Sequence, residues 1–154
     1  MTAILPALLA PAMNSARDKT PPGTAPDFAV IIVDHGSRLR DSNDQLLAVV
    51  DQHRRRWPGR IVEPAHMELA EPSIAQAFAR CAEQGARQVV VFPYFLAPGR
   101  HWTEDIPRLA AQAAAPFPGV CHMVAPPFGL HSRLLDVIDA RIAETLGAER
   151  SLPR

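Results

Sequence analysis

The sequence predicts an α/β protein: a small parallel sheet of about four strands with helices on both faces, in the order βαβαβαβα. Three observations predict it. Residues 28–33 and 88–94 are short, continuous apolar runs rich in β-branched side chains, as expected of strands buried on both faces. Longer stretches with apolar residues at helical spacing lie between the strand-like segments. The two kinds of segment alternate from Asp27 onward, and within one domain that alternation gives right-handed crossovers and a parallel sheet.

Taken in order, residues 28–33 form a central strand that ends in Asp34-His35-Gly36-Ser37-Arg38. Asp41 or Ser42 is placed to cap the next helix, whose apolar positions are Leu46, Leu47, Val50 and Trp57, and Pro58-Gly59 closes it. Residues 60–67 make a second, less apolar strand, suited to a position near the sheet edge. Pro72 fits the first turn of a second helix, Glu71 its positive end, and Gly85 its C-terminal turn, with Ile74, Ala77, Phe78 and Cys81 as the buried stripe. Residues 88–94 are the third and most apolar strand. A third helix runs through Ile106, Leu109, Ala110 and Ala113, with Pro107 in its first turn because a mid-helix proline costs about 3 kcal/mol. Residues 120–124 are a fourth strand, and a last helix carries Leu134, Leu135, Ile138, Ile142 and Leu146.

The chain of 154 residues suits one domain, over residues 27–148. Residues 1–26, broken by prolines and rich in Thr, Ser and Ala, are expected to be a disordered lead, and residues 149–154 a short tail. The apolar start has no basic residue before it and is too short and too interrupted for a secretory signal or a membrane span. Sixteen Lys and Arg balance sixteen Asp and Glu, which argues against nucleic acid or an anionic membrane as partner. Cys81 and Cys121 are expected to be buried free thiols in a reducing, cytoplasmic compartment; no C-x-x-C suggests a thiolate metal site. A four-stranded sheet leaves an edge or a helix face for a second copy, so a homodimer is expected.

The chemistry concentrates at the strand ends. The carboxyl ends of parallel strands share one edge, where ligands bind, and the usual doubly wound order sets the third strand beside the first. His35 and His101 then face each other across one cleft, two imidazoles able to share a divalent ion, with Glu68 from the second strand end as ligand or base. The plainer reading of either histidine alone is a ring bonded to loop backbone. His66 reads as a packing residue, and His53, His122 and His131 as structural or solvated. Ser37, Arg38, Arg40 and Arg100 flank the histidines; Arg38 and Arg100 suit an anionic ligand, and Arg40 fits ordinary solvated charge equally well. There is no phosphate loop, no dinucleotide fingerprint and no G-x-S-x-G.

Four segments carry a resemblance: His35-Gly36-Ser37-Arg38; His66-Met67-Glu68-Leu69-Ala70-Glu71-Pro72-Ser73-Ile74; Pro93-Tyr94-Phe95-Leu96-Ala97-Pro98-Gly99-Arg100-His101; and Asp105-Ile106-Pro107. In this order and spacing, over about residues 28–146, the chain resembles the short form of the CbiX family, the sirohydrochlorin cobaltochelatases and related ferrochelatases. The resemblance implies the chelatase-like (flavodoxin-like) α/β fold and a lyase that inserts a divalent metal into sirohydrochlorin without ATP, in cobalamin or siroheme biosynthesis. It implies metal binding by His35 and His101, an active-site role for Glu68, no cofactor beyond the substrate ion, and pairing as a homodimer. It also implies a substrate with eight rim carboxylates, for which Ser37, Arg38 and Arg100 are the candidate contacts. Co2+ is the expected ion, with Fe2+ or Ni2+ also suited to the ligands. Two other readings share the residues: a metal- or tetrapyrrole-binding protein without turnover, and a different enzyme on the same frame with His35 as base or phosphate acceptor.

Overall fold

The computed structural model describes residues 28–97 and 99–149. The expected lead over 1–26 lies outside them, as does the expected tail except for Glu149, which closes the last helix. The elements run β1 (Phe28–Asp34), α1 (Arg40–Arg56), β2 (Val62–His66), α2 (Ile74–Glu83), β3 (Gln88–Pro93), a turn of π-helix (His101–Asp105), α3 (Ile106–Ala114), β4 (Cys121–Val124) and α4 (Ser132–Glu149). All four strands are parallel, in the order β2-β1-β3-β4. The expected fold is therefore the observed one, with β1 beside β3 and the less apolar β2 at an edge.

Strand alternation divides the core in two. Ala29, Ile31, Val33, Val89 and Val91 point to one face, where Phe78 of α2 and Ile106 of α3 complete a closed apolar cluster. Val30, Ile32 and Val62 point to the other and pack on Leu46 and Val50 of α1. Helix α1 covers only the β1–β2 half of that second face. On the β3–β4 half, Val90 and Phe92 are half-buried and Met123 is exposed. Cys121 is exposed there too, which corrects the expectation of two buried thiols; Cys81 is buried in the first cluster.

The helix ends differ in detail from the sequence reading. Helix α1 begins at Arg40, and Leu39 at its N-cap makes no side-chain cap. Asn43 ties the turn instead, its amide accepting from Ser37 N (2.9 Å) and donating to Ser37 O (2.8 Å). Helix α2 is capped by Ser73 in a reciprocal box with Gln76. Glu71 and Pro72 consequently lie outside the helix, rather than at its positive end and in its first turn. Gly85 (φ 89°) ends α2 as expected.

Candidate metal and anion site at the strand carboxyl edge

The site begins where β1 stops. Main-chain pairing between β1 and β2 continues past both strands, with Met67 N donating to Asp34 O (2.8 Å) and Glu68 N to His35 O (3.1 Å). This extension lays Glu68 alongside His35. Gly36 makes it possible. It has φ 82°, and a Cβ built there would lie 1.9 Å from the backbone oxygen of Glu68. No residue with a side chain fits that approach.

Beneath the turn, the Asp34 carboxylate accepts from Gly36 N (2.9 Å) and contacts His66 Nδ1 (2.6 Å) through the same oxygen. His66 is 1 % exposed. It packs, as the sequence suggested, and it also braces the turn that carries His35. The opposite wall is set by the π-helical turn. Gly99 O accepts from Trp102 N and Thr103 N (both 3.0 Å), and the Trp102 indole donates to Ala125 O (3.2 Å), pinning the turn to the loop after β4.

His101 opens this turn, and its Nδ1 contacts Asp105 Oδ2 at 3.0 Å. That contact leaves Nε2 for a ligand, the arrangement in which carboxylates commonly orient metal-binding histidines. The bond from His101, with a further one from Arg108, holds the Asp105 carboxyl below the usual carboxylate range. Asp105 and Arg108 are site residues that the sequence reading missed. Their signal was the i,i+4 and i,i+3 spacing 101–105–108, hidden because helical structure was expected to begin only near Ile106.

His35 and His101 meet. Their ring centroids are 5.2 Å apart in an edge-to-face arrangement. With metal–nitrogen bonds of about 2.1 Å, rings at this separation are within reach of one ion. Glu68 Oε1 lies 2.8 Å from His35 Nε2, within hydrogen-bonding distance. Among the described residues no group of three or more His, Cys, Asp or Glu side chains stands ready as a metal cage. His101 and Glu68 open on a cavity of about 330 Å3, lined also by Met67, Asp105, Arg108 and Leu109.

The other expected contacts surround this cluster less tightly. Ser37 Oγ accepts from Leu39 N (3.0 Å), and Arg100 pairs with Glu104 (3.2 Å) while remaining exposed. Arg38 is exposed. Tyr94 and Phe128 pack edge-to-face on one another, on the sheet face that α1 leaves partly open.

Two imidazoles and a carboxylate gathered at the carboxyl edge of a parallel sheet define an α/β protein with a candidate metal site. Comparison with known proteins agrees. The CbiX family model matches residues 29–145, and the chain belongs to the CbiX family. It is 54 % identical, over 76 % of its length and 52 % of the relative's, to the chloroplastic sirohydrochlorin ferrochelatase of Arabidopsis thaliana. It is 46 % identical, over 53 % of its length and 57 % of the relative's, to the sirohydrochlorin cobaltochelatase of Methanocaldococcus jannaschii. The solved structure of SirB from Bacillus subtilis with Fe3+ superposes with a TM-score of 0.72 at 25 % identity, over 82 % of this chain and 48 % of that one. The chain thus spans about half the length of these relatives. Among the described residues no helix is long and apolar enough to cross a membrane.

Proposed function

We propose that this protein inserts a divalent metal ion into sirohydrochlorin. The observation that carries the proposal is the approach of His35 to His101, rings from separate crossover units that the fold brings to 5.2 Å. Two imidazoles bind a borderline ion while leaving coordination positions for the macrocycle nitrogens, so they suit delivery better than storage. The substrate ion takes the place of the contact between His35 Nε2 and Glu68. As the ion passes to the macrocycle, two pyrrole N–H protons leave, one to Glu68 and one to water. Asp105 keeps the His101 ring turned toward the ion. Arg38, Arg100 and Arg108, with the Ser37 turn, supply donors for rim carboxylates. The step needs no nucleotide, and the active species is a homodimer. Co2+ was the ion expected from the sequence. The 54 % identity to a ferrochelatase sets Fe2+ beside it as substrate.

The test is an absorption assay with protein, Co2+ or Fe2+ and sirohydrochlorin, without ATP. The wild type is expected to convert the macrocycle with multiple turnovers. His35→Ala and His101→Ala are each expected to lose about 100-fold or more, some 2.7 kcal/mol of barrier. Glu68→Gln is expected to slow turnover about 100-fold, within the range for a lost proton acceptor, while changing metal affinity less. A wild type that binds ion and macrocycle once without forming product would replace the enzyme with a carrier. Unchanged rates in either histidine variant would remove the pair from the reaction.

A further inference from the structure

One face of the helical segment that runs into α3 lines two cavities in succession. Asp105, Arg108 and Leu109 border the cavity of about 330 Å3 that holds His101 and Glu68. Leu109, Gln112 and Ala113, a turn further on, border a second cavity of about 150 Å3. Ser73, Ile74 and Ala75, where α2 begins, close its far side. Residues 105, 108, 109, 112 and 113 have the spacing of a single helix face. Met67 and Leu109 line both spaces, so the second continues the first behind one pair of side chains. The linings differ in character. The first cavity carries two carboxylates, an imidazole and a guanidinium. The second is walled by Met67, Ile74, Leu109 and Ala113, with Gln112 at its border as a polar group. Arg108 links the two, donating to Asp105 Oδ1 (3.4 Å) and to Gln112 Oε1 (3.5 Å). That bond engages the Gln112 amide oxygen and leaves the amide nitrogen as a donor.

We propose that the second cavity seats one propionate arm of the macrocycle, its methylenes against the apolar wall and its carboxylate on the Gln112 amide. The proposal rests on the metal-insertion reading above and names how that site distinguishes one edge of its substrate from the others. The size fits. At about 30 Å3 per water in the liquid, the space of about 150 Å3 corresponds to roughly five waters, and a propionate arm has as many heavy atoms. An acetate arm is one methylene shorter and covers less of the wall. The chemistry fits as well. A mostly apolar pocket with a placed polar group is the kind that fixes a ligand's orientation. A carboxylate accepting from an amide makes a charge-assisted bond, and Arg108 both holds that amide and adds positive charge beside it. Met67 is the adaptable part of the shared wall, its unbranched thioether able to move aside for an arm. An arm held there fixes the rotation of the ring in its own plane, whereas the ion needs only the ring centre. The subsite therefore acts on macrocycle binding more than on metal transfer.

The test combines insertion kinetics at saturating Co2+ and varied sirohydrochlorin with an absorption titration of sirohydrochlorin into the metal-free protein. Gln112 is exposed, so its variants leave the core intact. Gln112→Lys is expected to lower KM about threefold and Gln112→Glu to raise it about tenfold, each with kcat within about twofold of wild type. Ala75→Leu fills the cavity from its exposed side, and leucine is a good helix former. It is expected to raise KM about tenfold, the same binding-only pattern, with Co2+ affinity unchanged. In the Ala75→Leu background the order Lys, Gln, Glu at position 112 is expected to vanish, since the arm no longer reaches that position. An order that persists there would assign it to the field at the cavity mouth and overturn the seated arm. Wild-type turnover with an unchanged KM in Ala75→Leu, or with no charge order at position 112, would overturn the subsite and leave metal insertion standing. A wild type that binds sirohydrochlorin without inserting metal would reject the reading above, and the same variants in the titration would then decide the subsite. A wild type that does not bind sirohydrochlorin would overturn both.

Discussion

Gly36 shows how much of the site depends on one residue without a side chain. Its left-handed conformation and the 1.9 Å approach of the Glu68 oxygen leave no space for a methyl group. Gly36→Ala is expected to cost about 1–3 kcal/mol from the backbone conformation, plus the displacement of the Glu68 segment. Urea denaturation should show the loss, and an unchanged midpoint would contradict the described turn. His66→Ala is expected to destabilise the protein by about 2–4 kcal/mol, since it opens a cavity and removes the buried partner of Asp34. The same variant should weaken metal binding although His66 lies off the cavity. His35, Glu68 and His101 were legible in the sequence because each follows a strand-like run, where parallel-sheet topology gathers side chains. The brace was not. Asp34 stands next to His35 in sequence, but its partnership with His66 depends on the β1–β2 register, which pairs the two directly. Asp105 and Arg108 were hidden by a turn of π-helix that begins the helical segment five residues before α3.

At the scale of elements, the two sheet faces differ in what closes them. The face under α2 and α3 is complete, and Phe78, fully buried at its centre, is expected to cost about 3–5 kcal/mol as Phe78→Ala. In the same cluster, burial and the nearby Glu63 push the Cys81 thiol up to about 12. Cys81 should therefore resist alkylation in the native protein and react only on unfolding; labelling in buffer would contradict its place in the core. On the other face, burial first and then Arg60 and Arg56 lower the pKa of His53, on α1. A base whose pKa is depressed by folding is neutral in both states above the ordinary histidine value, and folding loses stability as pH falls through that value toward the folded one. The melting temperature should drop between pH 7.5 and pH 5.5, and His53→Gln should reduce the drop. An equal drop in the variant would assign it to other groups. Leaving large aliphatic side chains in water forgoes about 1.5–3 kcal/mol each, which is the physical reason the exposed α4 stripe of Leu135, Ile138, Ile142 and Leu146 needs a cover. The stripe was legible by its periodicity. That α4 makes no extended contact with any strand or other helix among the described residues was not, because it depends on packing between residues distant in sequence.

For the whole molecule, the balance of sixteen basic and sixteen acidic residues leaves recognition of an anionic ligand to local arrangement. Of the candidate arginines, Arg108 lines the cavity with His101, while Arg38 and Arg100 are exposed and stand close in sequence to His35 and His101. Replacing Arg108 by alanine is expected to raise KM for the macrocycle more than it lowers kcat, because the side chain lines the cavity and bonds Asp105 without meeting His35. An effect confined to kcat would shift Arg108 from binding to orienting His101.

The central claim is that one ion is held by imidazoles from two crossover units. X-ray absorption of Co2+ added to the metal-free protein tests it most directly. The account predicts one cobalt per site at saturating Co2+, with two imidazoles in its shell and only one in His35→Ala or His101→Ala. A cobalt shell with the same number of imidazoles in the wild type and in both variants would contradict it.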